Sequence, residues 1–487
     1  MRSTVGDYSR RLWAPLTLTL VLVSSLLVIA APAAVDASTR GVYPAVGVAA
    51  FLVLALTIVV IWSLKSFRVH VTAKIAWLAG IITLALTLGP ILLWYLGRDG
   101  LGYQISQALG VGGTPYGFGD MDVVLSWLNC PREGIDPYSA QASSCAMGPS
   151  NYGPAIFWLS PTGLGRSAAP ILGVVGAVLS AIAIVWLARQ STGAGRITLV
   201  IASASAAWIL LQERANLDAA IVWCAVLLVW LVRTRAGLWP WILAAVPIWI
   251  LGTWKYYPFA MVLALIPVLR VRYGWTVLTG FVALALGYLV LMREYVALSL
   301  TSNSNLSGGE FWGIGRDVAA AFIAGEAEVV SGWGWADALL GVIVLAAFVW
   351  GWSISPSRHV KPWNAYRPLR AVPLTAESML AISGASATLV SVGLSGFGYH
   401  YKAALLILGV PLLARFGVMR RPPVWRAGLF MLVLVVISTF VTTNLLLSSL
   451  AALVVAGFLS GASLNVLAVW LNTRLGAFLS DPRPKTT

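Results

Sequence analysis

The sequence predicts an all-α polytopic membrane protein with about 14 transmembrane helices. Three observations carry that prediction. Mean hydropathy is +0.86 and only 10% of residues are charged, far from the usage of soluble domains. The apolar residues fall into runs long enough to cross a hydrocarbon layer of about 30 Å, which takes roughly 20 helical residues. The alternating segments of about ten residues that mark a membrane barrel are absent, so the backbone groups must be closed within helices.

In chain order the apolar runs place spans near 12–33, 44–64, 75–96, 167–188, 197–212, 217–232, 239–254, 256–269, 274–292, 336–354, 371–393, 402–414, 427–444 and 446–470. The first begins after Arg10-Arg11 and ends in small residues at 31–37, a pattern shared with cleaved leaders. Its length favours a retained helix. The net charge of +15 follows from one topology. With the N-terminus inside, Arg68, Lys74, Arg189, Arg196, Arg233, Arg235, Arg270, Arg272, Arg415 and Arg426 all fall on the cytoplasmic side, while only Asp7, Glu377 and Asp481 among the acids do so. The basic excess therefore reads as orientation, with anionic membrane lipid as its partner and nucleic acid excluded. Both termini are placed in the cytoplasm.

This topology leaves two long loops outside, 97–153 and 293–335, and makes 351–370 the longest inner loop. Three regions result: two N-terminal helices over 1–74, a core over 75–350 with both outer loops, and a C-terminal helical module over 371–487. Cys130 and Cys145 lie together in the first outer loop, where a disulfide between them would contribute about 3 kcal/mol in the chain-entropy model. Cys224 sits alone in an apolar run and reads as packing.

Four polar clusters on the outer side are candidate chemistry. In Gly119-Asp120-Met121-Asp122, a short interfacial helix begins near Asp120. The two acids are two residues apart, so on a helix they point to different sides and only one can serve as a general base. The bland roles are an N-cap for Asp120 and a first-turn acid for Asp122. Glu213-Arg214-Ala215-Asn216-Leu217-Asp218 packs four charged or amide groups into a turn between two apolar runs. Such groups must reach the interface, pair together or line a wet cavity, and Arg214 or Asn216 could hold an anionic ligand. Lys255, in Trp254-Lys255-Tyr256-Tyr257-Pro258, is flanked by short runs and is expected below the surface among aromatic rings, where it could meet a phosphate or carboxylate or snorkel outward. His400 and Lys402 repeat that arrangement at another helix end.

Asp120-Met121-Asp122-Val123-Val124 with Gly134 and Pro137-Tyr138 resembles the acidic first-loop pattern of glycosyltransferase family 87, a group of C-type membrane glycosyltransferases. Glu213-Arg214-Ala215-Asn216-Leu217-Asp218 is similar to that family's Glu-Arg-Gly-Asn-Leu-Asp turn, with Ala215 in place of the glycine, and 254–258 is similar to its Lys-x-x-Pro turn. The resemblance covers about residues 75–290. It implies the C-type fold, a bacterial plasma-membrane location and an extracytoplasmic active site. The implied reaction is inverting transfer of mannose or arabinofuranose from a polyprenyl-phosphate donor to an envelope glycolipid or polysaccharide hydroxyl. Asp120 takes the base position, with Asp122 as its alternative, and Arg214, Asn216, Lys255, Tyr256, His400 and Lys402 fall to substrate binding. A monophosphate donor calls for no metal or other cofactor. The chain departs from the family in its two preceding spans, in Val124 where tyrosine is common, and in the cysteine-bearing enlargement of the loop. The rival class is a transporter or flippase of an anionic lipid-linked substrate, which would carry a polar path to the inner side; a scaffold subunit would make Asp120 a mere cap.

Overall fold

The computed structural model describes residues 74–97, 101, 117–146, 148–301, 335–356, 373–395, 400–419, 422–440 and 445–480. The expected spans at 12–33 and 44–64, the leader-like segment, most of the second outer loop and the basic inner loop lie outside the described residues. Among the described residues every regular element is a helix.

The helices are α1 (Ile75–Tyr95), α2 (Gly119–Trp127), α3 (Ala169–Gln190), α4 (Gly193–Ala202), α5 (Ala206–Glu213), α6 (Ala219–Thr234), α7 (Trp239–Lys255), α8 (Val262–Leu265), α9 (Gly274–Leu291), α10 (Arg293–Thr301), α11 (Trp335–Ile354), α12 (Pro373–Ser395), α13 (Val410–Val418), α14 (Pro422–Phe440) and α15 (Leu445–Ser480). Six stretches among the described residues are long and apolar enough to cross a membrane, and α4 with α5 makes a seventh if that pair, bent by 56°, is one span. α6 and the broken helix Tyr257–Arg270 are apolar but shorter. The chain is thus an α-helical protein with the architecture of a membrane protein.

One apolar cluster runs from Ala76 and Ala79 of α1 to Trp470 of α15, so the helices after residue 371 pack into the same core as those before it. In lipid such packing rests on close contact more than on water exclusion. Small residues supply the contact. Gly457 and Gly461 on α15 lie against the carbonyls of Val344 and Phe348 on α11, and a Cβ at Gly461 would stand 2.0 Å from the Phe348 oxygen. Large apolar side chains such as Ile171, Trp239, Val290 and Leu291 remain on the outside, as a hydrocarbon surround permits.

At the opposite end from the loop-bearing face, Glu377 of α12 accepts from Arg415 of α13 through both of its oxygens, at 2.7 to 3.1 Å. Glu377, the one acid expected deep on the inner side, is therefore held in an ion pair between two helices.

Candidate functional site: a carboxylate clamped on a polar turn

α4 stops at the break 203–205, and Ser205 restarts the chain by accepting from the backbone N–H of Trp208 at the head of α5. After two turns α5 ends at Glu213. The backbone N–H of Asn216 then donates to the Leu211 carbonyl and that of Ala215 to the Gln212 carbonyl, which is the paired ending known as a Schellman motif. Its left-handed position is Ala215, with φ +47°. Glycine normally occupies that position because a Cβ strains it. Asn216 completes the turn by accepting the Asp218 N–H on its side-chain oxygen at 2.9 Å.

α2 begins on this turn. Phe118, at φ +54°, reverses the chain and buries its ring where Gly173 of α3 leaves room. The Phe118 N–H donates to the Glu213 carbonyl, and the N–H groups of Asp120 and Met121 both donate to the Arg214 carbonyl at 3.1 and 3.2 Å. The unsatisfied donors at the start of α2 thus meet the unsatisfied acceptors at the end of α5. Asp120 is the second residue of α2, not its cap, and makes no capping bond. Nor does α2 lie open on a surface, since Val124, Leu125, Ser126 and Trp127 are all buried.

That docking aims Asp120 at the turn. One carboxylate oxygen accepts from Arg214 at 3.1 Å, and the other accepts from the side-chain amide of Asn216. The same amide donates to the Tyr401 hydroxyl at 2.8 Å, while the Asn216 oxygen faces the Lys255 ammonium at 3.4 Å. Both ends of Asn216 therefore meet protein groups, and its amide ties the Asp120 carboxylate to the Tyr401 hydroxyl. Lys255 closes a second pair with Asp218 at 3.1 Å and lies 4.4 Å from the Tyr152 ring centroid. Asp218 also accepts from the Tyr257 hydroxyl on the oxygen that meets Lys255. The Lys402 ammonium sits 5.3 Å from the Tyr257 ring. Burial pushes the Tyr152 phenol up to about 12, with the neighbouring Lys255 acting in the opposite direction.

The residues gathered here combine a partly exposed acid with cations that range from partly exposed, as Arg214, to buried, as Lys402. The Asp120 side chain keeps 21% of its exposure, whereas Lys255 keeps 13% and Asp218 none. A carboxylate that can still be approached can take a proton, while the cations beside it, in an aromatic-lined setting, can hold an anion.

The other expected site residues are placed elsewhere. Asp122 points away from Asp120 and accepts from Arg166 through both oxygens, at 2.9 and 2.6 Å. Tyr256, at φ +58°, directs its hydroxyl to Ser299 of α10, outside the Asp120 group. His400 begins a 3₁₀ helix that runs to Gly409; its side chain lies outside the described residues. Cys130 and Cys145 are joined in a disulfide with their Cα atoms 5.4 Å apart. The disulfide packs in the cluster that holds Trp127 and Tyr152, so it backs the wall against which Lys255 rests. Tyr138 fastens the same wall by donating its hydroxyl to the Tyr152 carbonyl at 2.7 Å, and burial raises its phenol above the ordinary range. Gly153 donates to the Trp254 carbonyl at 2.8 Å, and a Cβ there would stand 2.1 Å from the Thr253 carbonyl oxygen, so the loop can approach α7 only with glycine.

Sequence reasoning did not single out Asp218, Tyr152, Tyr257 or Tyr401 as site residues. Asp218, Tyr257 and Tyr401 lie within clusters it had marked, and Asp218 carried a readable signal: a largely buried ammonium at Lys255 needs a counter-ion. Among the described residues no group of three His, Cys, Asp or Glu side chains is gathered closely enough to hold a metal ion. Comparison with protein-family models, with curated proteins and with solved structures finds no match for this chain.

Proposed function

We propose that the protein is an integral-membrane glycosyltransferase. It moves mannose or arabinofuranose from a polyprenyl-phosphate donor to an envelope glycolipid or polysaccharide hydroxyl, on the extracytoplasmic side of a bacterial plasma membrane. The observation that carries this reading is Asp120, an approachable carboxylate held on a turn with Arg214 and backed by Lys255. Its oxygens each accept one hydrogen bond, which leaves each a lone pair for an acceptor hydroxyl.

In this reaction Asp120 takes the proton as the hydroxyl oxygen bonds to the anomeric carbon, and the bond from that carbon to the donor phosphate oxygen breaks with inversion. The phosphate departs with the bonding electrons and gains negative charge. Lys255, within the low-dielectric wall of Tyr152 and Tyr257, is placed to stabilise it, with Arg214 and Lys402 as the further cations of the group. Asp122 takes no part, because its charge is committed to Arg166.

Transfer from radiolabelled polyprenyl-phosphate mannose and arabinose to endogenous acceptors tests the proposal, in membranes that carry the native chain or Asp120→Asn at matched expression. A fall of about a hundredfold or more is expected, the scale of a lost general base. Undiminished transfer by Asp120→Asn overturns the role of Asp120. Absence of transfer from both donors by the native chain overturns the enzyme reading in favour of a carrier of the same anionic lipid.

A further inference from the structure

α1 and α5 are joined by one polar rung: Trp208 donates its indole N–H to Thr83 at 2.9 Å, and Thr83 passes its own proton to the Ala79 carbonyl at 2.9 Å. The two helices run in the same direction. Further along both, Ile91 of α1 meets Gly117, and the next residue, Phe118, donates to Glu213 of α5. One helical turn beyond the rung, about 6 Å along each axis, stand Thr87 and Gln212. Each is four residues on from its rung member and so shares its face.

Thr87 and Gln212 are 0% and 1% exposed, and neither the Thr87 hydroxyl nor the Gln212 NH₂ group has a hydrogen-bond partner. A buried amide donor with no acceptor costs about 1–3 kcal/mol, and two such groups at one level on adjoining helices mark a shared need. Pro90 adds to the polarity of the level, since it lacks the N–H that would close on the Leu86 carbonyl.

We infer that Thr87 and Gln212 form an internal hydration site, a second rung in which ordered water bridges the hydroxyl of α1 to the amide of α5. Water suits the pair because it both accepts from Gln212 and exchanges with a hydroxyl that can give or take a proton. The rung lies one residue before Glu213 and two before Arg214, so it fixes the height of the turn that clamps Asp120. The site needs no sugar donor, and its test is independent of the proposed reaction.

Cryo-electron microscopy of the full chain in lipid nanodiscs, at a resolution that shows ordered water, should reveal density within hydrogen-bond distance of both Thr87 Oγ1 and Gln212 Nε2. A direct bond between the two side chains, or two side chains turned apart with no density between them, overturns the inference. Melting temperatures of Thr87→Val, Gln212→Leu and the double variant give a second measure. Each single change should lower the midpoint by a few degrees, and the double should fall short of their sum, because it leaves no polar group in want of a partner. Additive losses, or single changes that raise the midpoint, overturn it equally.

Discussion

Removal of the Lys255 ammonium alone should destabilise the protein more than removal of its whole ion pair. Lys255 and Asp218 are 3.1 Å apart, and the Asp218 side chain has no exposure. In Lys255→Met the carboxylate stays buried with only the Tyr257 hydroxyl as donor, since its second oxygen has none. Loss of one partner from a buried pair costs about 3–5 kcal/mol. Asp218→Asn keeps an acceptor for Tyr257 and leaves Lys255 against Asn216 and the Tyr152 ring, so the smaller end of that range applies, about 3 kcal/mol. The double variant carries neither charge and should cost about 1 kcal/mol, which makes the coupling energy well over 2 kcal/mol. Thermal unfolding of the full chain in one detergent gives all four corners of the cycle. Single effects that add within about 0.5 kcal/mol would show that the two charges do not depend on each other and would refute the argument. The double variant also separates stability from function. It should be folded yet deficient in donor binding, because the cation meant for the phosphate is gone.

Three further outcomes follow from particular contacts. Ala215→Gly should raise the melting temperature by relieving a left-handed residue that costs about 1 kcal/mol, and should leave transfer activity intact. Asp122→Ala should change stability by at most about 1 kcal/mol, because its partner Arg166 is 66% exposed, and should not alter transfer; a loss on the scale of Asp120→Asn would show that the two acids are not separated in role. Cys130→Ser with Cys145→Ser should lower stability by about 3 kcal/mol and weaken donor binding more than turnover, since the disulfide backs Tyr152 and through it Lys255; kinetics on membranes with and without a reductant provide the check.

The helices were readable where apolar runs were long and bounded by charge. α1 covers Ile75–Tyr95 and α3 covers Ala169–Gln190, close to the runs at 75–96 and 167–188. The run at 197–212 gave no warning of its bend, because Ser203-Ala204-Ser205 is small enough to pass as helix interior and the break depends on Ser205 capping α5. The local geometry of the clusters was also legible: acids two apart on a helix diverge, and Asp120 and Asp122 do. What the sequence withheld was which clusters meet. Asp120 and Asn216 are 96 residues apart, and Asn216 and Tyr401 are 185 apart. Their contact is decided by the packing of α2 on α5 and by helices after residue 371 entering the same core, neither of which leaves a local mark in the chain.

The division of labour between the two acids of α2 has one physical origin. Both lie in the first turn of the same helix, so the helix dipole favours their charge about equally and cannot tell them apart. The difference comes from what the head of α2 rests on. Because Ala215 ends α5 in a left-handed turn, the carbonyls of Glu213 and Arg214 face outward, and they receive the N–H groups of Phe118, Asp120 and Met121. That docking rotates Asp120 into the polar turn, and the 3.6-residue period then carries Asp122 round to the exposed side, within reach of Arg166. A substitution that shifts the turn without touching either acid should therefore impair Asp120 and spare the Asp122–Arg166 pair. Ala215→Val is such a change, because a β-branched side chain cannot hold φ +47° without strain. Transfer should fall in that variant to the level of Asp120→Asn, whereas a variant that melts earlier but transfers normally would show that Asp120 does not take its orientation from the turn.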